Sequence, residues 1–397
     1  MKTKQLSSNR IASIDVFRGL TILIMIFVND VAGVSNIPAW LKHAPQGSAG
    51  MTFVDLVFPA FLFIMGLSIP FALAQREKKH PGKSHISHIL IRSAGLIVLG
   101  LLMLNGPKVS SMNAAWWNIL MYTGAILFWN AWTKGEKNKI IHQILKWLGL
   151  SILIFLLIIY RRRSLLSETW IITSWWGILG ELGFAYLISS LLYLLLKDKK
   201  ILLYLVPVFS ILLYIADKSG QLDFLGKINE IFFIGSHWGT HVLMSFSGLI
   251  CGKWLFDLRK NNTKELMRNM AGFALILTLS AYLLYGLYGI DKIAATPSWA
   301  LLSSSICILI FMLSYYLMDI RKHTAIYPFF KPIATNPLLA YMLHVMFIYV
   351  FQLIGFSSFY GNQLGSGLIG ILRSILYTVF IYAITGLLTK AGVRLKL

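Results

Sequence analysis

Asp55-Leu-Val-Phe-Pro59-Ala-Phe-Leu-Phe-Ile-Met-Gly66-Leu-Ser-Ile-Pro70-Phe-Ala-Leu-Ala74 carries one charge, at its first residue, and closes on Gln75-Arg76-Glu77-Lys78-Lys79. A helix rising ~1.5 Å per residue needs about 20 apolar residues to cross a hydrocarbon core of roughly 30 Å. This segment is therefore read as a membrane span, over 53–75, with its acid at one interface and its basic cluster at the other. Eleven similar runs accompany it: 14–35, 86–106, 116–132, 141–160, 175–196, 200–216, 239–257, 269–289, 298–319, 334–356 and 366–388. The weakest are 116–132, which is short, and 200–216, which follows its predecessor after four residues, so the fold class is an all-α polytopic integral membrane protein with 11–12 transmembrane helices.

Composition agrees. Of 397 residues 57% are hydrophobic and 13% charged, and mean hydropathy is +0.71, against roughly 25% charged in ordinary soluble domains. A disordered chain and a cytosolic globular protein are excluded. The formal charge of +21 would suggest nucleic acid if it formed one surface, but it is dispersed in short clusters between apolar runs. With the N-terminus cytoplasmic, 23 Lys and Arg fall in loops on that side and eight on the other, the asymmetry expected of cytoplasmic loops. Both termini are expected inside, in a bacterial inner membrane, and no nucleic-acid partner is expected. The Arg161-Arg162-Arg163 run on the outer side is the exception. The first apolar stretch has no cleavage pattern and reads as a retained helix. Cys251 and Cys307 lie inside apolar runs, too few and too far apart for a disulfide framework or a zinc spacing. The longest hydrophilic stretches, near 36–52 and 217–238, are expected as external loops on a single membrane-embedded domain spanning 1–397.

Polar residues inside such a chain are expensive and so informative. In Ser13-Ile-Asp15-Val-Phe-Arg18-Gly19 the acid and base stand three apart on one helical face, suited to a local ion pair or to an anion at the cytoplasmic side, and Ser13 is placed to cap the helix. Asn29 and Asp30 fall near the external end of the same helix. His43 is the ionisable group of the 36–52 loop that titrates near neutrality, hence a proton acceptor or acyl carrier, or simply a surface residue. Asp55 must be satisfied or chemically employed. His237 and His241 stand i,i+4, but Trp238 holds the place where metalloprotease chemistry needs Glu, so no metal is expected there. Glu181 lies within the sixth span and Asn336, Tyr341 and His344 on the eleventh.

The block Ser13-Ile-Asp-Val-Phe-Arg-Gly-Leu-Thr21, with Val28-Asn29, His43-Ala44 and Asp55-Leu-Val-Phe-Pro59, resembles the heparan-alpha-glucosaminide N-acetyltransferase family and its bacterial relatives. Trp176-Gly-Ile-Leu-Gly-Glu-Leu-Gly-Phe-Ala-Tyr186, Thr296-Pro-Ser-Trp-Ala-Leu301 and Asn336-Pro-Leu-Leu-Ala-Tyr-Met-Leu-His344 extend the resemblance over nearly all spans. It implies a transmembrane acetyltransferase that takes acetyl from cytosolic acetyl-CoA and delivers it to an amino sugar or glycan on the far side. It further implies His43 as the catalytic or acetyl-carrying residue, with Asn29 and Asp55 beside it, and a homodimer among membrane lipid. Arg18, Asp15, Asn336 and His344 are then expected at the coenzyme, and Asp30, Glu181, His237 and His241 at the acceptor. Glu181 departs from many relatives, which carry Gln-Arg where this chain has Gly180-Glu181. O-acetylation of a polysaccharide and proton-coupled transport are the competing readings, since intramembrane Asp, Glu and His serve a transporter equally well.

Overall fold

The structure is a computed structural model that describes residues 11–48, 50–82, 84–131, 139–163, 168–172, 176–259 and 261–396. Lys2, Lys4, Arg10, Lys83, Lys134, Lys137 and Lys260, which enter the charge asymmetry, lie outside these residues. The helices are α1 (Ala12–Val31), α2 (Val57–Lys79), α3 (His85–Asn105), α4 (Ala114–Trp129), α5 (Lys139–Ile159), α6 (Gly177–Leu196), α7 (Lys200–Lys218), α8 (Lys227–Phe232), α9 (His241–Leu258), α10 (Thr263–Tyr288), α11 (Pro297–Tyr315), α12 (Tyr327–Thr335), α13 (Pro337–Leu353) and α14 (Gly367–Lys390).

Each of the twelve runs marked in the sequence coincides with one of these helices, and the protein is an all-α polytopic membrane protein. Among the described residues nine helices are long and apolar enough to cross a membrane, and a tenth span is formed if α12 and α13 count as one bent by 69°. Two marked runs fall short of that length and hydropathy: α4, of 16 residues, and α9, of 18, which is extended by a π-helical turn over Gly235–Thr240. The arginine run finds a local use, since Arg162–Arg163 pairs antiparallel with Glu168–Thr169 in a two-residue ladder.

Burial sorts the helices into an inner set and a lipid-facing rim. The apolar window of α1 is 67% buried and that of α5 only 17%. Exposed Ile140, Ile144, Trp147, Phe155 and Ile158 on α5, and Leu275, Leu279, Leu283 and Leu287 on α10, are the surface that hydrocarbon would cover. Because lipid is as apolar as a leucine side chain, close packing rather than water exclusion must hold the inner helices together. Glycine supplies it. A Cβ on Gly248 of α9 would stand 2.0 Å from the Phe63 carbonyl oxygen of α2, and one on Gly66 of α2 would stand 1.7 Å from the Ser245 oxygen of α9.

Among the described residues, side chains cap the starts of three helices. Thr296 caps α11 with Pro297 at its first position, and Asn113 and Asn262 cap α4 and α10. The start of α1 is closed differently from the expected Ser13 cap. Ser13 sits inside the first turn with its hydroxyl buried, and Asp319, just past α11, accepts from the Ala12 and Ser13 amides at 3.1 and 3.0 Å. A carboxylate offers two acceptors to the orphan amides where a serine hydroxyl offers one group. It also ties one end of the bundle across the whole sequence.

The α2–α9 contact predicts that Gly248→Ala lowers the melting temperature of the detergent-solubilised protein, with a cost of about 1–3 kcal/mol or more from overpacking. Gly286→Ala, where nothing lies within 4 Å of the added methyl, should leave the melt unchanged. Equal melting of the two variants would contradict glycine-mediated packing.

Candidate active site

The 36–52 loop folds over the start of α2 because Asp55 gathers it. Asp55 is 1% exposed, in the short 3-10 turn Phe53–Leu56 that precedes α2. Its Oδ1 lies 2.7 Å from His43 Nδ1, and its Oδ2 accepts from the amides of Thr52 at 3.0 Å and Ala44 at 3.2 Å and from the Thr52 hydroxyl at 3.2 Å. Its backbone oxygen accepts from the Trp299 indole at 3.3 Å. A carboxylate only accepts, so the His43 proton that meets it is on Nδ1 and the Nε2 lone pair is left for other chemistry.

A second loop completes the arrangement. Between α10 and α11, Asp291 accepts from the amides of Ile293 and Ala294 and reaches across to the Gly47 amide at 2.7 Å, joining the two loops. That places Lys292 Nζ at 3.1 Å from His43 Nδ1, 3.3 Å from Nε2 and 3.9 Å from Asp55 Oδ1. Burial pushes the Lys292 ammonium pKa below the ordinary lysine value, although the carboxylates of Asp55 and Glu181 pull the other way.

His43 and Lys292 face a small chamber of about 40 Å³ walled by Met25, Val28, Asn29, Val54, Val57, Phe58, Phe61 and Ile178. Asn29 is exposed toward it and donates from Nδ2 to His344 Nε2 at 3.2 Å, while His344 Nδ1 donates to the Tyr341 carbonyl at 2.6 Å. His344 therefore sets the orientation of Asn29. Below the chamber a cavity of about 740 Å³ shares the walls Met25, Phe61 and Ile178. Its bore is apolar, with Ile22, Ile64, Leu96, Leu182 and Leu338, and its other end carries Arg18, Gln75, His88, Arg92 and Lys396. A polyanion suits that mouth, and a slender chain suits the bore.

The remaining sequence-predicted residues separate into three groups. Arg18 lines the cavity, held by Ser68 at 2.9 Å and by Asp15 at 3.6 Å; Asp15, buried and also bonded to Tyr327, orients Arg18 rather than lining the cavity. Glu181, His237 and His241 come together beside the chamber, where Phe58, one of its walls, packs edge-on against His241 at 5.1 Å. Asp30 and Asn336 are taken up by structure. Both Asp30 oxygens are bonded inside the protein, to Tyr360 at 2.7 Å, Ser374 at 2.6 Å and Arg373 at 3.1 Å, and the residue does not line the chamber. Asn336 bonds Thr389, Val393 and Leu395 at the α12–α13 break and does not line the cavity itself; it holds the C-terminal tail that brings Lys396 to the mouth. His344 likewise stands at the chamber, behind Asn29, rather than at the basic end.

Sequence reading missed Lys292, Arg92, Lys396 and Arg373 as site or support residues. Each is an ordinary basic residue locally, and its role depends on a partner far away in sequence.

Residues 10–244 match the family described as a domain of unknown function (DUF5009). The chain belongs to that family. The DUF5009 match contains Arg18, Asn29, His43, Asp55, Glu181 and both of His237 and His241, but neither Lys292 nor His344. The chain is also 37% identical over 106 residues to heparan-alpha-glucosaminide N-acetyltransferase of Mus musculus and 38% identical over 98 residues to that of Homo sapiens. Those stretches are 26% and 24% of this chain and only 15% and 14% of the two relatives, a distant family relationship.

The Asp30–Arg373 pair, both members under a tenth exposed, predicts that Arg373→Met destabilises the protein by about 3–5 kcal/mol by stranding a buried carboxylate. Asp30→Asn together with Arg373→Met should recover much of that loss in a thermal melt. No recovery in the double variant would reject the pairing as the cause.

Proposed function

We propose that this protein is a membrane acetyltransferase that draws acetyl-CoA from the cytoplasmic side and passes the acetyl group, through His43, to a glucosamine-type amino sugar or glycan on the opposite side of a bacterial inner membrane. The observation that carries this reading is the sharing of Met25, Phe61 and Ile178 between the basic-mouthed cavity and the His43 chamber. Both termini lie cytoplasmic in this reading, which puts the basic mouth on the side where the donor is found. The N-acetyltransferase names of the two distant relatives and the family membership support it.

The nucleotide phosphates of the coenzyme would rest among Arg18, Arg92, His88 and Lys396, and the pantetheine arm would run up the apolar bore. With Nδ1–H held by Asp55, the Nε2 lone pair of His43 attacks the thioester carbonyl. A C–N bond forms, the C–S bond breaks, and coenzyme A leaves as a thiolate that takes a proton. Asn29 and Lys292 are placed around the chamber to donate to the oxygen as charge develops. The amine of the acceptor then attacks the acetyl-imidazolium, its C–N bond forming as that to His43 breaks and the electron pair returns to Nε2, while the lost amine proton passes to water and balances the proton taken up by the thiolate.

Purified protein given acetyl-labelled coenzyme should transfer label to an amino sugar without any ion gradient. His43→Ala should lower turnover roughly 10²–10⁴-fold, and wild-type protein without acceptor should hold one acetyl on His43 by peptide mass spectrometry. Turnover with no such adduct would replace the relay by direct transfer with His43 as base. Absence of transfer to amines and hydroxyls alike, with gradient-driven flux in proteoliposomes, would establish a transporter.

Lys292 adds a pH test. The ammonium form is lost as pH rises through its lowered pKa, so turnover should fall on the alkaline side earlier than an ordinary lysine would dictate. Lys292→Arg keeps the charge at every accessible pH and should carry the alkaline limb upward. An unmoved limb would exclude Lys292 as the titrating group.

A further inference from the structure

We propose that Glu181, His237 and His241 form a three-ligand site for a divalent transition-metal ion, zinc by its donor set. The His-Trp-Gly-Thr-His spacing provides only two ligands on one element, and the third arrives from α6, where sequence distance concealed it. Among the described residues the three ligating atoms lie within 4.8 Å of one another. His237 Nε2 is 3.7 Å from Glu181 Oε1, and His241 Nδ1 is 3.9 Å from Glu181 Oε2.

Those separations are too long for hydrogen bonds, which end near ~3.2 Å for nitrogen and oxygen, and they suit atoms that converge on something between them. Tetrahedral zinc with bonds of ~2.0–2.1 Å sets its ligand atoms roughly 3.3 Å apart, so the three ligating atoms, within 4.8 Å of one another, would draw together around the ion.

The outer contacts point the same way. The Phe232 carbonyl accepts from His237 Nδ1, so that nitrogen carries the proton and the Nε2 lone pair faces Glu181. A histidine that ligates a metal typically fixes its tautomer by such a bond. His241 is 4% exposed and its Nδ1, aimed at the same carboxylate, is buried with no hydrogen-bond partner. An orphaned ring nitrogen beside an anion in a low-dielectric site asks for a cation.

Aromatic rings hold the imidazoles in place: Phe184 stacks on His237 at 5.2 Å, Phe233 meets it edge-on at 5.6 Å, and Phe58 meets His241 edge-on at 5.1 Å. Two nitrogens and one carboxylate oxygen match the borderline-soft divalent ions and leave one coordination position for water or an oxygen of a bound molecule. Phe58 separates this position from the His43 chamber, so the ion would sit next to the acceptor side without contacting the proposed relay.

The test reads metal directly and is independent of acetyl transfer. Full-length protein in detergent is stripped with EDTA, dialysed, titrated with Zn²⁺ and assayed for metal by mass spectrometry; a parallel sample takes Co²⁺ and is read by its visible absorption. The expected result is about one Zn²⁺ per chain and the strong visible bands of tetrahedral Co²⁺. Glu181→Gln and His241→Ala, each melting like the stripped wild type, should weaken binding at least tenfold, while His43→Ala should bind as wild type. Failure of wild-type protein to retain Zn²⁺ at micromolar concentration overturns the site, as does unchanged binding in the folded Glu181→Gln or His241→Ala variant. Loss of the ion in His43→Ala overturns it too, because it would assign the metal to the His43–Asp55 pair.

Discussion

A buried carboxylate that only accepts hydrogen bonds must be met by donors from every direction, and Asp55 is met from almost all of them. His43, Ala44 and Thr52 reach it from the loop, Lys292 stands nearby from a second loop, and its own carbonyl takes the Trp299 indole of α11. Its desolvation would be costly without these partners. The same requirement fixes the loop over α2, selects the His43 tautomer and aligns α10–α11 with the start of α2. The position of the histidine is a by-product of satisfying one acid.

The helical bundle supplies the other half of the arrangement. Glycines on α2 and α9 let those helices approach closely, and the break between α12 and α13 lines the large cavity with Ala334, Thr335, Pro337 and Leu338. Irregular backbone at membrane depth is tolerated where it is covered by protein or borders a cavity. Asn336 performs that covering, tying the tail residues Val393 and Leu395 against the break. One residue that reads as a ligand in the sequence thus builds the wall of the cavity.

The apolar runs made nearly every helix legible because a hydrocarbon core imposes one length and one composition on all of them. Of the two weak runs, 116–132 became the short α4, whereas 200–216 became α7, long and apolar enough to span; the unforeseen exception is α9, which begins in a π turn. The chemistry was legible where it is local: Asp55 and His43 are twelve residues apart and meet. It was illegible where it is not. Lys292 joins His43 from 249 residues away, and Asp30 finds Arg373 across 343. Neither residue differs, in its own neighbourhood, from a charge at the end of a span, and only the folded bundle tells a charge that serves a pocket from one that closes a structure. Glu181 stood out as a departure from its relatives, but its two histidine neighbours emerge only from the packing of α6 against the start of α9.

Met25, Phe61 and Ile178 form the shared wall between the large cavity and the chamber. In an energised membrane this narrow zone has a second consequence. A continuous file of water joining the two faces would conduct protons and dissipate the gradient that the cell maintains. A thioether, a phenyl ring and an isoleucine offer no hydrogen-bonding station for such a file. In the proposed acetyl transfer, these three residues keep the place where the two cavities meet free of such stations.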